Sequence, residues 1–150
     1  MKDIVIILIV IGIAFALYRE SQLDTSQWPP SPTQGIFFLA QAIAVAEGSP
    51  ADWNNPGDLT KTFGFNASAG PQNADGVLKF DTIQDGVGAL YAQLSLILNG
   101  GSMYSTNTSL SDFGASYAGD PNWAGNVASA YSNISGTPVS TDSSLGDLLQ

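Results

Sequence analysis

Cysteine and histidine are both absent from the 150 residues of this chain. Their absence excludes disulfides, thiolate or imidazole zinc sites, and nucleophiles that a histidine activates. Any catalysis must therefore use carboxylates, hydroxyls, amides or lysines, and we expect neither a metal nor another cofactor. A chain of this length is expected to form one small domain with a short appendage.

Basic residues are scarce as well, because four of them stand against 13 acidic residues and leave a net charge of −9. Lys2 and Arg19 flank an N-terminal apolar run, so that only Lys61 and Lys79 remain for the rest of the chain. With ten acidic residues and these two lysines, the part after residue 34 carries a net charge of −8. Nucleic acid is not an expected partner, because phosphate binding requires clustered lysine and arginine.

The N-terminal apolar run covers residues 4–18 and contains no charged residue. It is shorter than the roughly 20 residues of a typical spanning helix, but flanking Lys2, Tyr18 and Arg19 can extend its reach. We therefore predict a single-pass transmembrane anchor over residues 1–20, with the lipid membrane as a partner of residues 4–18. A signal peptide cleaved at the small residues Ala14 and Ala16, or a pilin-like helix, are the alternatives. The flanking charges do not determine the orientation.

Residues 21–34 are rich in proline, serine and threonine. Three prolines in four positions, at 29, 30 and 32, favour an extended spacer of roughly 3 Å per residue. The sequence therefore predicts a linker that has nothing to bury and that holds the following domain away from a membrane.

Residues 35–140 are predicted to form a mainly α-helical domain. A first helix carries the apolar run that ends at Glu47, and the Gly-, Pro-, Asn- and Asp-rich residues 48–81 are predicted to form a loop region or a small β-hairpin. Further helices are expected after the N-caps Thr82, Ser109 and Asp120. The polar composition of residues 141–150 predicts a flexible tail.

Glu47 is the candidate catalytic residue. At about 100° per residue it falls on the helical stripe of Ile36, Ala40 and Ile43, and therefore points toward the buried side. Burial and the negative end of the helix dipole both disfavour its charged form, so the carboxyl should hold its proton near neutral pH, as a general acid must. The alternative is a polar residue exposed in the last helical turn.

Two motifs carry a family resemblance, namely Ala-Ile-Ala-Val-Ala-Glu-Gly at 42–48 and Asn-Asn-Pro-Gly-Asp-Leu at 54–59. Together with weaker matches that include Tyr117 and Asp-Pro-Asn-Trp at 120–123, they resemble the lysozyme-like domains of bacterial and phage proteins. These domains are relatives of soluble lytic transglycosylases and goose-type lysozymes, and the resemblance covers about residues 36–140. It implies a lysozyme-like fold, peptidoglycan glycan strands as the substrate, and Glu47 as the catalytic acid.

Candidate substrate-binding residues follow from their chemistry. A sugar presents an apolar ring face to Trp53 and hydrogen-bonding groups to Asn54 and Asn55, and Tyr104 and Tyr117 are expected to line the groove. The alternatives are that both asparagines only fix a tight turn, and that Tyr117 belongs to the core. Trp123 has core spacing and is expected to be buried.

A second catalytic group is left open by the sequence. Asp52, Asp58 and Asp81 are candidates for a nucleophile or for a residue that orients water, although each lies in a turn-forming context. The substrate's own N-acetyl group or 6-hydroxyl group is the alternative.

The expected function is a membrane-anchored, peptidoglycan-cleaving lysozyme or lytic transglycosylase in a bacterial envelope or in the internal membrane of a phage particle. The alternative is a non-catalytic structural or wall-binding protein that retains the fold. The acidic charge favours that alternative, because wall polymers are themselves anionic.

Overall fold

The computed structural model describes residues 23–69 and 71–150. The predicted anchor over residues 4–18 lies outside these described residues. Among the helices within the described ranges, none combines the length and the apolar character that a membrane crossing requires.

The described chain is mainly α-helical, as predicted, and contains five α-helices and one antiparallel β-hairpin. The hairpin pairs Ala67 with Phe80 and Ala69 with Lys79 across a bulge, and it lies within residues 48–81, where a loop region or a small β-hairpin is predicted. In chain order, the elements are α1 (Gln34–Glu47), a 3₁₀ turn (Ala51–Trp53), β1 (Ala67–Ala69), β2 (Lys79–Phe80), α2 (Ile83–Leu98), α3 (Leu110–Tyr117), α4 (Trp123–Ser135) and α5 (Leu145–Leu149).

Helix α1 lies at the centre of the domain and packs against α2, α4 and α5. The Thr33 side chain caps it by accepting a hydrogen bond from the backbone N–H of Ile36 at 3.0 Å. Its residues Ile36, Leu39 and Ile43 are fully buried, and each such side chain stabilises the fold by about 1.5–3 kcal/mol. The helix ends at Gly48, whose positive φ of 56° suits glycine.

The predicted caps of α2 and α3 are confirmed. The hydroxyl of Thr82 accepts from the backbone N–H of Asp85 at 3.1 Å, and Ser109 does the same for Asp112 at 3.0 Å. Helix α4 begins later than predicted, because the carboxylate of Asp120 accepts from the backbone N–H of Asn122 at 2.8 Å within a preceding turn. A short turn thus separates Asp120 from the first residue of the helix.

The predicted linker is not a spacer with nothing to bury. Residues 23–33 form no helix or strand, but Leu23 and Trp28 pack against the hydrophobic core. The ring of Trp28 lies edge-on to Phe37 and Tyr91, with centroids 6.3 Å from each. The proline-rich composition concealed these two apolar side chains, so that the domain in the structure includes part of the segment assigned to the linker.

The prediction of a flexible tail over residues 141–150 is wrong. Helix α5 buries Leu145, Leu148 and Leu149 in the core, with 0%, 1% and 0% of each residue exposed. The backbone carbonyl of Leu148 accepts from the hydroxyl of Tyr131 at 3.0 Å. Three leucines in a polar stretch are therefore sufficient to dock this short helix against α1 and α2.

We expect Leu145→Ala to lower the free energy of unfolding by about 2–5 kcal/mol, because it leaves a cavity in the core. Leu96→Ala is the matched control, since Leu96 is 41% exposed, and it should change stability by less than about 1 kcal/mol. Urea denaturation of the two variants measures the difference. Equal, small effects would show that α5 does not contribute to the core.

Candidate active site

Glu47 occupies the last position of α1, as predicted, and its carboxyl is half-buried. Trp123, the first residue of α4, donates a hydrogen bond from its indole Nε1 to Oε1 of Glu47 at 2.8 Å. Because only 3% of Trp123 is exposed, the ring is held by the core and fixes the direction of the carboxyl. The polar ends of two packed helices therefore meet at one carboxylic acid.

Asp58 is the one of the three candidate aspartates whose negative charge acts on the Glu47 carboxyl. The hydroxyl of Ser49 donates to Oδ1 of Asp58 and holds that carboxylate in place. Asp58 has a positive φ of 48°, a conformation that non-glycine residues adopt rarely and that concentrates at functional sites.

The other two candidate carboxylates lie elsewhere. Asp52 forms an ion pair with Nζ of Lys79 at 3.8 Å, and its side chain is 75% exposed. Asp81 is exposed next to β2, where its backbone N–H donates to the carbonyl of Asn66 at 3.1 Å. The structure therefore selects Asp58 among the three as the possible partner of Glu47.

The electrostatics of the site favour a protonated Glu47. Burial, assisted by the negative charges of Asp58 and Asp120, raises the pKa of Glu47 from 4.5 to about 7, whereas the hydrogen bond from Trp123 opposes this shift. Near neutral pH the carboxyl consequently exists in both protonation states, which is the property that a general acid and base requires.

Tyr117 connects the loop that carries Asp58 to Trp123, the residue that binds Glu47. Its hydroxyl donates to the carbonyl of Gly57, and its ring centroid lies 5.1 Å from that of Trp123. Burial, together with the charges of Glu47 and Asp58, raises the pKa of Tyr117 well above its ordinary value, so that its hydroxyl remains a neutral donor.

Tyr104 and Tyr117 also line a common cavity of about 380 Å³ beside the site, together with Lys61, Gln93 and Met103. Both rings contact Phe113, with centroid distances of 4.9 Å, so each tyrosine is anchored on one side by the core. Both tyrosines thus line a cavity and Tyr117 also packs against the core, whereas their role in substrate binding stays a prediction.

Asn55 does not fit the predicted role in substrate binding. It is only 2% exposed, and its Nδ2 donates to the carbonyls of Leu59 and Leu78 at 2.9 and 2.8 Å. Its Oδ1 accepts from the backbone N–H of Leu59 at 2.8 Å, so the side chain is committed to the fold of the loop. The tight-turn alternative is correct for this residue.

Asn54 and Trp53 lie near this turn and not at the Glu47 carboxyl. The Nδ2 of Asn54 donates to the carbonyl of Phe80 at 3.0 Å, and the residue adopts a positive φ of 53°. Trp53 is half-buried in the 3₁₀ turn, without a hydrogen bond or ring contact to Glu47 in the described part of the chain. The structure therefore assigns Asn54 to the turn and does not place Trp53 against the candidate acid.

Sequence analysis missed two residues of the site, Trp123 and Ser49. Trp123 is in the core, as expected, but a buried indole N–H also needs an acceptor, and this requirement is the signal in the sequence that the ring faces a polar group. Ser49 carries no comparable signal, because a serine after a helix-terminal glycine is common in turns.

A larger cavity of about 530 Å³ lies on another side of α1 and is mostly apolar, with Leu23, Trp28 and Val45 in its lining. It touches the site through Ser49, but Glu47 and Asp58 are not among its lining residues. Cavity volume alone therefore does not identify the candidate active site. The raised pKa of Glu47 is the better indicator.

Comparisons of the chain with protein-family models, curated proteins and solved structures find no match. Function must accordingly be inferred from the geometry and the chemistry of the site.

We expect Glu47→Gln to stabilise the protein at about pH 8 but not at about pH 4. The folded-state pKa of about 7 exceeds the ordinary value of 4.5, so wild-type stability falls as the pH rises between these values. The difference corresponds to at most about 3 kcal/mol, and solvent screening of the half-buried carboxyl reduces it to about 1–2 kcal/mol.

Urea denaturation at both pH values measures this effect. Asp52→Asn is the control, because the exposed Asp52 carboxylate should show no such gain. A Glu47→Gln variant whose stability relative to wild type is independent of pH would contradict the raised pKa.

Proposed function

We propose that this chain is a peptidoglycan-cleaving glycosidase in which Glu47 acts first as general acid and then as general base. The observation that carries the proposal is a half-buried carboxyl with a pKa of about 7 that an indole N–H orients and on which the charge of Asp58 acts. Glycosidic cleavage requires such a protonated carboxyl at the leaving oxygen. The resemblance of residues 36–140 to lysozyme-like domains supports peptidoglycan as the substrate.

The hydrogen bond from Trp123 gives the two oxygens of Glu47 different roles. Because Nε1 of Trp123 occupies Oε1, the proton is carried on Oε2, from which it passes to the glycosidic oxygen. The carboxylate that remains is stabilised by the same indole N–H. It then accepts a proton from the nucleophile of the second step, either water or the substrate's 6-hydroxyl group.

Asp58 is the second carboxylate that acts on Glu47. Its negative charge keeps the proton on Glu47 and stabilises positive charge that develops on the sugar. Water, the N-acetyl group or the 6-hydroxyl group of the substrate completes the reaction.

The apolar residues 4–18 support attachment of this enzyme to a membrane. Attachment in a bacterial envelope, or in the internal membrane of a phage particle, raises the local concentration of the domain near its substrate. Such a domain depends less on long-range attraction than a freely diffusing enzyme does.

A second candidate function is a non-catalytic structural or wall-binding protein. The observation that favours it is the net charge of −8 after residue 34, which repels an anionic polymer. In that case Glu47 and Trp123 would serve only to join α1 and α4. Turnover of peptidoglycan distinguishes the two functions.

We expect Glu47→Gln to reduce peptidoglycan cleavage by about 10²–10⁴-fold, because the amide cannot donate or accept the catalytic proton. Activity of the wild-type chain should fall as the pH rises above about 7, where the acid loses its proton. Release of soluble fragments from purified peptidoglycan measures both effects, and mass spectrometry separates hydrolytic from 1,6-anhydro products.

Asp52→Asn serves as the control for this experiment, since Asp52 is a carboxylate outside the site. Circular dichroism verifies that both variants remain folded. Cleavage by folded Glu47→Gln at the wild-type rate would remove Glu47 from the mechanism.

We also expect activity to rise with moderate salt. Repulsion between the acidic domain and the polymer slows their encounter, and the screening length shortens from about 30 Å at 0.01 M to about 10 Å at 0.1 M. Fragment release across this range tests the effect. A monotonic fall in activity would contradict the electrostatic argument, and folded protein with no turnover at any salt concentration would favour the non-catalytic function.

A further inference from the structure

The cavity of about 380 Å³ adjoins the candidate active site at Tyr117. One wall is the loop of residues 59–63, and the opposite wall contains Met103, Tyr104 and Tyr117. Tyr117 belongs to both places, because it lines the cavity and also contacts Trp123 and the carbonyl of Gly57. Tyr117 is therefore the residue that the site and the cavity share.

Lys61 gives this cavity a charge opposite to that of the domain. It is exposed, it lines the cavity, and no ion pair to it occurs among the described residues. The other lysine in the described part of the chain, Lys79, pairs with Asp52 at 3.8 Å. Aspartate and glutamate are absent from the cavity lining, although the part after residue 34 carries a net charge of −8.

The position of Lys61 also limits its distance from the reactive carboxyls. It follows Asp58 by three residues, so its Cα lies within about 11 Å of the Cα of Asp58. The flexible lysine side chain can therefore reach a substituent on a sugar close to the cleaved bond.

Uncharged groups complete the cavity. The Oε1 atom of Gln93 is buried and has no hydrogen-bond partner in the described ranges, and Gln93 is one of the lining residues. A buried acceptor without a partner favours a ligand that supplies an N–H donor, such as an amide. Met103, which is 89% exposed, and Tyr104 offer apolar surface to a sugar ring.

On these observations, and resting on the glycosidase function proposed above, we propose that Lys61 binds a carboxylate carried by the glycan strand. The contact makes the enzyme selective for carboxylate-bearing strands over neutral ones. Peptidoglycan offers this chemistry from two sources: the stem peptide, and the lactyl group of sugars that carry no peptide, since the peptide is attached through the lactyl carboxyl. Lys61 is a specificity residue in this proposal and takes no part in proton transfer.

The test measures kcat and KM of the full chain on three substrates: peptide-bearing strands, strands stripped of peptide that retain lactyl carboxylates, and neutral N-acetylglucosamine oligomers. Lys61→Gln should raise KM for carboxylate-bearing strands by about three- to tenfold and leave kcat unchanged. Lys61→Arg should restore KM. An effect on peptide-bearing strands alone assigns the carboxylate to the stem peptide, an effect on stripped strands alone assigns it to the lactyl group, and an effect on both shows that Lys61 accepts either carboxylate.

Lys79→Gln is the matched control, because it changes the net charge of the domain by the same amount at a residue outside the cavity. Equal changes in Lys61→Gln and Lys79→Gln would reduce the effect to overall charge and overturn the proposal. An equal loss on neutral oligomers would overturn it as well.

Failure of the glycosidase function gives a different result. If the folded wild-type chain turns over none of the three substrates, the proposed reaction is wrong, whatever Lys61 does. Calorimetric binding of the same strands to Glu47→Gln, with and without Lys61→Gln, then decides whether Lys61 binds the carboxylate. Equal affinities in that comparison would overturn the Lys61 proposal.

Discussion

The packing of α1 against α4 is the interaction on which the rest of the structure depends. Glu47 ends α1 where Trp123 begins α4, and Phe38 near the start of α1 contacts Tyr131 near the end of α4, so the helices are antiparallel. Fully buried Ile43 and Val127 belong to the same core. Burial of this apolar surface holds the helices in register, and the register brings the indole to the carboxyl.

The same burial disfavours the ionised form of the Glu47 carboxyl. Burial, assisted by the negative charges of Asp58 and Asp120, raises the pKa of Glu47, and the surrounding packing supplies the free energy that this costs. Asp58 adds a backbone in the left-handed region, a conformation that costs on the order of 1 kcal/mol. Ser49 and Tyr117, bonded to Asp58 and Gly57, keep this loop in place. The packed helices α1 and α4 therefore hold one side of the site, and the hydrogen-bonded loop at Gly57 and Asp58 holds the other.

Local sequence patterns predicted the features that depend on interactions between neighbouring residues. The caps Thr82 and Ser109 and the end of α1 depend on neighbours within four residues, and these predictions are confirmed. The hydrogen bond between Glu47 and Trp123 joins residues 76 positions apart, and no local pattern contains it. Long-range contacts also explain why the predictions of an unburied linker and a flexible tail are wrong, because the burial of Trp28 and α5 is decided by the surfaces they meet. Asn54 and Asn55 show the same limit, since identical side chains in one turn differ in burial.

The net charge of the domain acts over long distances, whereas the charges at the site act only at contact. The proposed cleavage of an anionic polymer is therefore physically consistent with an acidic domain. At physiological ionic strength the screening length is about 8 Å, so distant acidic residues contribute little to a bound sugar. The repulsion from these residues acts while the strand approaches the domain. Attachment to a membrane would substitute for attraction at that step. Once the strand is bound, groups within contact distance decide its stability, and the cavity beside Glu47 presents Lys61 without an acidic neighbour in its lining. The acidic residues that do face the site, Asp58 and Asp120, act on the proton of Glu47.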